Sequence, residues 1–492
     1  MSPLLKLSNA ALGALPKGVA GPGYDRAELT PGIVHIGLGN FHRAHQAVYL
    51  DDLMGQGRDH DWALLGAGVR APDARMRSAL KAQDCLSTVI ERGPEGRFAR
   101  VVGAMADFLP VDPGNAPLIA ALSDPAIRIV SLTVTEGGYF VDPATGRFDP
   151  DHPEIVADGH NPDQPATAFG AIVAALAARH AAGHTPFTVM SCDNLPGNGG
   201  VTRDAVVGLA SLSDPQLSDW IAGNVAFPNA MVDRITPATG PREREMAASF
   251  GLDDPVPVTC EPFRQWVLED SFTAGRPEFE AAGVTMTSDV HDYERMKIRI
   301  LNGGHAVIAY AGALLGHEFA HQAMADPRIA GLLDRVERAE ILPHVRPVPE
   351  FTPEEYLTLI LSRFSNPEIE DTTRRLCLDG SNRQPKFILP SVADGLASGA
   401  PVEGLALVSA LWCRYCAGHF EDGRAIEPND PNWAQLTETA QRAKSAPAAW
   451  LELREIYGDL AEAPRFSAAF AGWLRQIWAV GTAATIGSYL GD

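Results

Sequence analysis

Cysteine is scarce. Cys85, Cys192, Cys260, Cys377, Cys413 and Cys416 are spread over 492 residues, too thinly for a disulfide framework, so reduced thiols are expected. Basic charge is also short: 40 Lys and Arg face 61 Asp and Glu, a formal charge of -21. That balance repels nucleic-acid phosphates and anionic lipid head groups, so neither is expected as a partner. Long apolar runs are missing too. The longest, around 305–316, falls short of the roughly 18 residues that a spanning helix needs. The opening MSPLLKLSNAALGALPKG has no basic region followed by an unbroken apolar stretch, so no signal peptide is read and a cytoplasmic protein is expected.

What is present is ordinary for a globular protein: 46% apolar and 21% charged residues. The length exceeds what one core organises, so two domains are expected. In the first half, strands alternate with helices. GIVHIGLGNFHR (32–43) reads as a buried strand, a glycine turn and a helix start. HQAVYLDDLMGQG then reads as a helix and DWALLGAGV (61–69) as the next strand. IRIVSLTVTEGGYF (127–140) is another apolar run, and 142–165 a long Pro-, Asp- and Gly-rich excursion. AFGAIVAALAARHAAG is a helix with a glycine stop, followed by the strand PFTVMSCDN. Near Val284 the pattern turns to long helical segments at 293–316, 327–342, 353–364, 402–418 and 465–489. The fold class expected is α/β, an N-terminal Rossmann-type domain (1–290) with a mainly parallel sheet and a mainly helical C-terminal domain (291–492).

Gly37 permits a tight turn and Gly39 lets the backbone approach a pyrophosphate held at a helix N-terminus. The third glycine of the fingerprint is replaced by His42. A simple strand-to-helix turn is the plain alternative. Asp73, after the second strand, is placed to accept from an adenosine ribose and repel a 2′-phosphate, which favours NAD. Arg70, Arg75 and Arg77 stand close by as possible receivers of that phosphate.

A second constellation lies in MKIRILNGGHAVIAYAG. On an α-helix at about 100° per residue, Lys297, Asn302 and His305 fall within an arc of roughly 140° and can look into one cleft. With the glycine turn they point to hydride transfer: a base for a hydroxyl proton, donors for the developing alkoxide and a dinucleotide. Lys297 serves as base only when neutral, which requires its pKa to fall from about 10.4 by some two units. A snorkelling surface lysine and a satisfied core histidine are the plain alternatives. Asp193, Asn194 and Asn198 follow one presumed strand, and Asn229, Asp233 and Arg234 lie at another. Strand ends collect ligands, and they also favour Asn and Asp as turn residues.

Taken with SCDNLPGNG, FPNAMVDRITP, CEPFRQWVLED and DGSNRQPKF, these motifs make the chain resemble the polyol-specific long-chain dehydrogenases along nearly its whole length. The resemblance implies NAD-dependent, metal-free oxidation of a polyol, D-mannitol to D-fructose foremost, by a monomer. It implies that Lys297 is the general base, that Asn194 and Asn302 hold the reacting oxygen, that His305 orients the substrate and that Glu294 passes the proton toward solvent. Asp233, Arg375 and Arg383 match positions that contact polyol hydroxyls. GLGNFHRAH and TEGGY add Asn40, Phe41, Arg43 and Glu136 to Gly37, Gly39 and Asp73 on the cofactor side. Two departures stand out: Arg383 replaces a Lys of some members, and Pro72-Asp73 replaces a Glu-Asp pair.

Rival readings are few. His317, Glu318 and His321 spell H-E-x-x-H, a zinc-protease pattern if helical. Cys413 and Cys416 form a lone C-x-x-C that reads as buried small side chains. Tyr293 and Lys297 form Y-x-x-x-K, in which the tyrosine would be the base. A dinucleotide sensor without turnover is a further class. A uronate reductase of the same family would use Arg374, Arg375, Arg383 and Lys386 against a substrate carboxylate.

Overall fold

Apolar side chains alternate along the central strands because successive residues of a strand face opposite ways. Ile33, Leu64, Ile129 and Met190 enter one core. Val34, Ile36, Val130, Leu132 and Val189 enter the other. A sheet covered on both faces is the setting in which parallel strands are stable. The strands are β1 (Pro31–Ile36), β2 (Ala63–Ala67), β3 (Met105–Phe108), β4 (Ile129–Leu132) and β5 (Thr188–Ser191). They run parallel in the order β3-β2-β1-β4-β5. The direction of winding reverses between β1 and β4, so the loops after these two strands open a crevice at the sheet's carboxyl edge.

The computed structural model describes residues 3–142 and 145–491 and divides into two compact units, Met1–His291 and Asp292–Asp492. The first is the expected α/β unit. It carries three further sheets beyond the sequence reading, the smallest being Leu5–Lys6 paired with Leu252–Asp253. The hairpin Ser87–Gly93/Gly96–Val102 pairs with Val258–Cys260 and Val19–Ala20. Ala230–Asp233 pairs with Gln265–Glu269, which pairs with Thr285–Thr287. Helix Ala168–Ala182 begins where Thr167 accepts from the Gly170 N–H and ends at Gly183, φ 69°.

Two segments depart from the sequence reading. The run 127–140 is a strand only over Ile129–Leu132. Beyond it the Asp193 carboxylate takes the N–H groups of Val134 and Thr135 at 2.9 and 3.1 Å, so the sheet ladder cannot continue. The excursion at 142–165 contains a helix, Pro153–His160. Asp158 on that helix accepts from the Ala166 and Thr167 N–H groups and the Thr167 hydroxyl, at 2.6 to 3.0 Å, and fastens it to the next element.

The second unit is helical. Helix Pro327–Val336 shows why: Ile329, Leu332, Leu333 and Val336 recur at i, i+3, i+4 and i+7 and are all buried. Helix Pro353–Phe364 starts at a Thr352/Glu355 capping box. Among the described residues no helix is long and apolar enough to cross a membrane. All six cysteines are buried free thiols.

The helix that carries Lys297 is not α throughout. His291–Met296 is α-helical, Lys297–Asn302 is π-helical, and Gly303–Leu314 is α-helical again. In an α-helix, residues five apart differ by about 140°. A π-turn closes its hydrogen bonds between residues five apart and so brings such a pair nearer to one face. The expected arc is therefore tighter for Lys297 and Asn302. A second π-turn, Glu337–Ile341, comes after helix Pro327–Val336.

Candidate functional site

In the first unit the glycine turn is fixed by what its backbone must avoid. Gly37 adopts φ 95°, and a Cβ there would lie 2.1 Å from the Thr133 carbonyl oxygen. Only glycine fits. The turn is tied down by Gly37 N–H to Ala67 O at 3.1 Å and by the Thr133 hydroxyl to Gly37 O at 2.6 Å. Gly39 differs: its Cβ would meet nothing nearer than 4.0 Å. The space above it is open, and the helix Asn40–Ala44 starts there.

A cavity of about 270 Å³ lies over this turn, lined by Gly37, Gly39, Arg70, Asp73, Thr135 and Thr167 among others. Asp73 begins helix Asp73–Lys81, and its Oδ2 accepts from the Val69 and Arg70 N–H groups at 3.0 and 2.9 Å. A glycine that must stay bare, open space beside it and a carboxylate at the next strand's end fit a dinucleotide. Asn40 and Arg43 work inside the turn. Asn40 Nδ2 donates to Pro237 O and Thr239 Oγ1, each at 2.9 Å. The buried Arg43 donates to Gly39 O, Val256 O and Asn40 Oδ1, and burial lowers its pKa to about 10. Phe41 stacks on His45.

Glu136 is exposed at the start of the turn Glu136–Tyr139. Asn194 is exposed after β5, and Asp233, 6% exposed, ends the strand Ala230–Asp233. Asp193 holds the loop beside the cavity, taking the Tyr139 hydroxyl at 2.7 Å as well as two N–H groups. Burial raises its pKa against those bonds. Asn198 and Asn229 have the alternative role of turn residues. Asn198 bridges Asp193 O and both backbone groups of Ala230, while Asn229 receives the Gly199 N–H.

In the second unit Glu294, Lys297, Asn302 and His305 lie on one continuous helical run. Glu294 and Lys297 are each 7% exposed, so Lys297 is not a snorkelling surface lysine. Asn302 Oδ1 is buried without a hydrogen-bond partner. His305 stacks on Phe364 at 4.2 Å. Its pKa is held well below the usual value by burial first, then by Arg375, Arg363 and Arg383. The structure thus gathers His305, Arg375 and Arg383. Arg375 donates through Nε to Asp371 at 2.6 Å, and Arg383 to Leu376 O at 3.2 Å.

Sequence reasoning missed Phe364, Asp371 and Glu337. Glu337 is fully buried, its two oxygens lack partners, and one would sit 3.1 Å from a Cβ at Gly304. Burial pushes its pKa far up. In the sequence it reads as one more charge on an amphipathic helix.

The rival motifs take other places. His317 and Glu318 precede helix Ala320–Ala325 while His321 lies on it, and His317 pairs with Asp326 at 3.3 Å. Among the described residues no group of three or more His, Cys, Asp or Glu is arranged to hold a metal ion. Cys413 and Cys416 are buried in helix Glu403–Cys416. The Tyr293 hydroxyl donates to Glu350, and burial plus that carboxylate push its pKa up.

The mannitol dehydrogenase Rossmann-domain model matches residues 31–281, and the mannitol dehydrogenase C-terminal-domain model matches 289–478. The chain belongs to the mannitol dehydrogenase family. A mannitol 2-dehydrogenase of Cereibacter sphaeroides is 66% identical over 97% of this chain and 100% of that protein. One from Phaeosphaeria nodorum is 41% identical over 99% of this chain and 86% of that protein. Among solved structures, the ternary complex of Pseudomonas fluorescens mannitol 2-dehydrogenase with NAD and D-mannitol superposes with a TM-score of 0.89. It is 42% identical and is covered over its whole length by 99% of this chain. A substrate-free D-sorbitol dehydrogenase gives the same TM-score at 37% identity, covering 98% of this chain and 100% of its own. As a mannitol dehydrogenase family member, the chain is an oxidoreductase with a Rossmann domain and a helical C-terminal domain.

Proposed function

We propose that the protein oxidises D-mannitol at C2 to D-fructose with NAD, and runs the reverse reduction by the same groups. The observation that carries this reading is the burial of Lys297 in one π-helical turn with Asn302. Neutral Lys297 takes the hydroxyl proton. Asn194 and Asn302 donate to the oxygen as negative charge develops on it, which lowers the barrier where that charge is greatest. Glu294, one turn before Lys297, relays the proton to solvent. His305, kept neutral by its surroundings, donates or accepts without adding charge and orients the substrate, while Asp233, Arg375 and Arg383 bind polyol hydroxyls. Residues 1–290 bind the dinucleotide through Gly37, Gly39, Asn40, Phe41, Arg43, Asp73 and Glu136, and residues 291–492 supply the base. Bound NAD supplies the two-electron acceptor.

A uronate reductase is disfavoured by charge. Arg374 pairs with Glu427 at 3.0 Å and Arg375 with Asp371, so two of the four cations such a site would use are met by the chain's own carboxylates. Relatives named for mannitol point the same way. We further propose a cytoplasmic monomer. The test is NADH formation across mannitol, sorbitol, arabinitol and mannonate, with fructose and fructuronate compared in reverse. Mannitol and fructose should be turned over fastest, and a preference for the acids would overturn the reading.

A further inference from the structure

We propose that Glu154 helps set coenzyme choice by engaging Arg70, so that this arginine of the cradle is not offered to a 2′-phosphate. The inference rests on the reading of the cradle as a dinucleotide site. NAD and NADP differ by one phosphate on the adenosine ribose. A cation beside that ribose attracts the phosphate, and an anion repels it.

Three arginines come after the second strand close to Asp73, and on sequence alone they argue for the phosphate. The structure separates them. Arg77 donates through Nε to Phe108 O at 3.0 Å. Arg75 is exposed on helix Asp73–Lys81. Arg70 lines the cavity, and its Nη1 lies 2.8 Å from Glu154 Oε2.

Both partners of that pair sit on anchored backbone. The Arg70 N–H is held by Asp73 Oδ2 at 2.9 Å. Glu154 lies in the first turn of helix Pro153–His160, where a negative charge is favoured. Asp158 binds that helix to Thr167, which itself lines the cavity. The side chains of Arg70 and Glu154 are 55% and 38% exposed, so their pairing adds little to stability. Its effect is on the local field. Glu154 cancels the charge of Arg70, so that of the two charged residues lining the cavity the Asp73 carboxylate is left to set the field, which a phosphate dianion meets as repulsion.

The test uses the full chain and reads binding without turnover. Wild type, Glu154→Gln, Arg70→Met and the double variant are titrated with NADH and NADPH by tryptophan fluorescence at low salt. Glu154→Gln should tighten NADPH about tenfold, one charge-assisted contact's worth, and move NADH less than about twofold. Adding Arg70→Met should abolish the gain, and raising the salt should shrink it. An unchanged NADPH/NADH ratio in Glu154→Gln, or a gain that survives Arg70→Met, overturns the inference while leaving the dinucleotide reading intact. Wild-type protein that binds neither coenzyme overturns both.

Discussion

His42 lies flat on His35, ring centroids 3.4 Å apart and planes 15° from parallel. His42 occupies the position of the fingerprint's third glycine, whose usual task is to let the helix pack closely on the strand. Here the strand residue is itself a flat ring, so two stacked rings replace the bare contact. His35 bonds Ser131 and Thr133 at 2.8 and 2.9 Å, while both His42 ring nitrogens are buried without partners.

That stack makes the glycine turn acid-sensitive. Burial lowers the pKa of His35 to about 3, and burial aided by His35, Arg43 and His45 holds His42 well below its usual value. In the unfolded chain each titrates near 6.5. Below that pH the unfolded state carries more protons, so stability falls as pH drops from about 6.5. At pH 5.5 each buried histidine costs about 1.4 kcal/mol. His42→Phe keeps a stacked ring without the titration, so its loss between pH 7.5 and 5.5, read by urea unfolding, should be smaller than wild type's by about that amount.

The choice of base is decided by two variants. Lys297→Ala should lower kcat by about 10²- to 10⁴-fold with the fold intact by circular dichroism. Tyr293→Phe should keep most activity, because its hydroxyl is spent on Glu350. The reverse result would move the base to the tyrosine.

Gly37 and Gly39 should separate folding from binding. Gly37→Ala places a Cβ 2.1 Å from Thr133 O at φ 95° and should cost about 2–3 kcal/mol of stability. Gly39→Ala meets open space and should change stability by less than about 0.5 kcal/mol. It should still weaken NADH binding roughly tenfold or more, since the added methyl stands where a pyrophosphate would lie. Thermal unfolding and NADH titration of both variants check this.

Glu337 is a stability liability. Its buried carboxyl holds its proton in the folded state, whereas the unfolded chain releases it near 4.3. Replacement by Met, of similar length and apolar, should stabilise the protein at pH 7.5 by about 1–3 kcal/mol. The gain should shrink as pH falls toward 4.3, where both states are protonated, and urea titrations at pH 7.5 and 5 would show the trend.

Metal should be dispensable. Dialysis against EDTA should leave mannitol oxidation unchanged, and loss of activity restored by zinc would revive the H-E-x-x-H reading.

The sheet was legible because period two and a glycine turn are local signals. Ile33, Val34 and Ile36 announce a strand buried on both faces, and Gly37 marks its end. The long helices were legible for the same reason, as Ile329, Leu332, Leu333 and Val336 show. The hairpin at 87–102 went unread, although STVIERG is rich in β-branched residues, because it pairs with segments as distant as Val258–Cys260. The end of β4 at Leu132 could not be read either, since it is set by a carboxylate some 60 residues on, Asp193. At the site, the residues proposed to carry the chemistry, Lys297, Asn302 and His305, are visible as polar breaks in an apolar helix. Phe364 against His305, Asp371 beside Arg375 and Glu154 beside Arg70 are ordinary amphipathic or surface positions in the sequence and gain meaning only from packing.

The π-turn at Lys297–Asn302 carries one residue more than an α-helical turn of the same rise. Deleting a residue within it would restore regular winding and swing everything from Gly303 onward by about 100°, setting the side chains of Gly303–Leu314, which are buried nearly all round, against different neighbours. Insertions and deletions within this stretch are therefore opposed by packing alone, whatever their effect on chemistry.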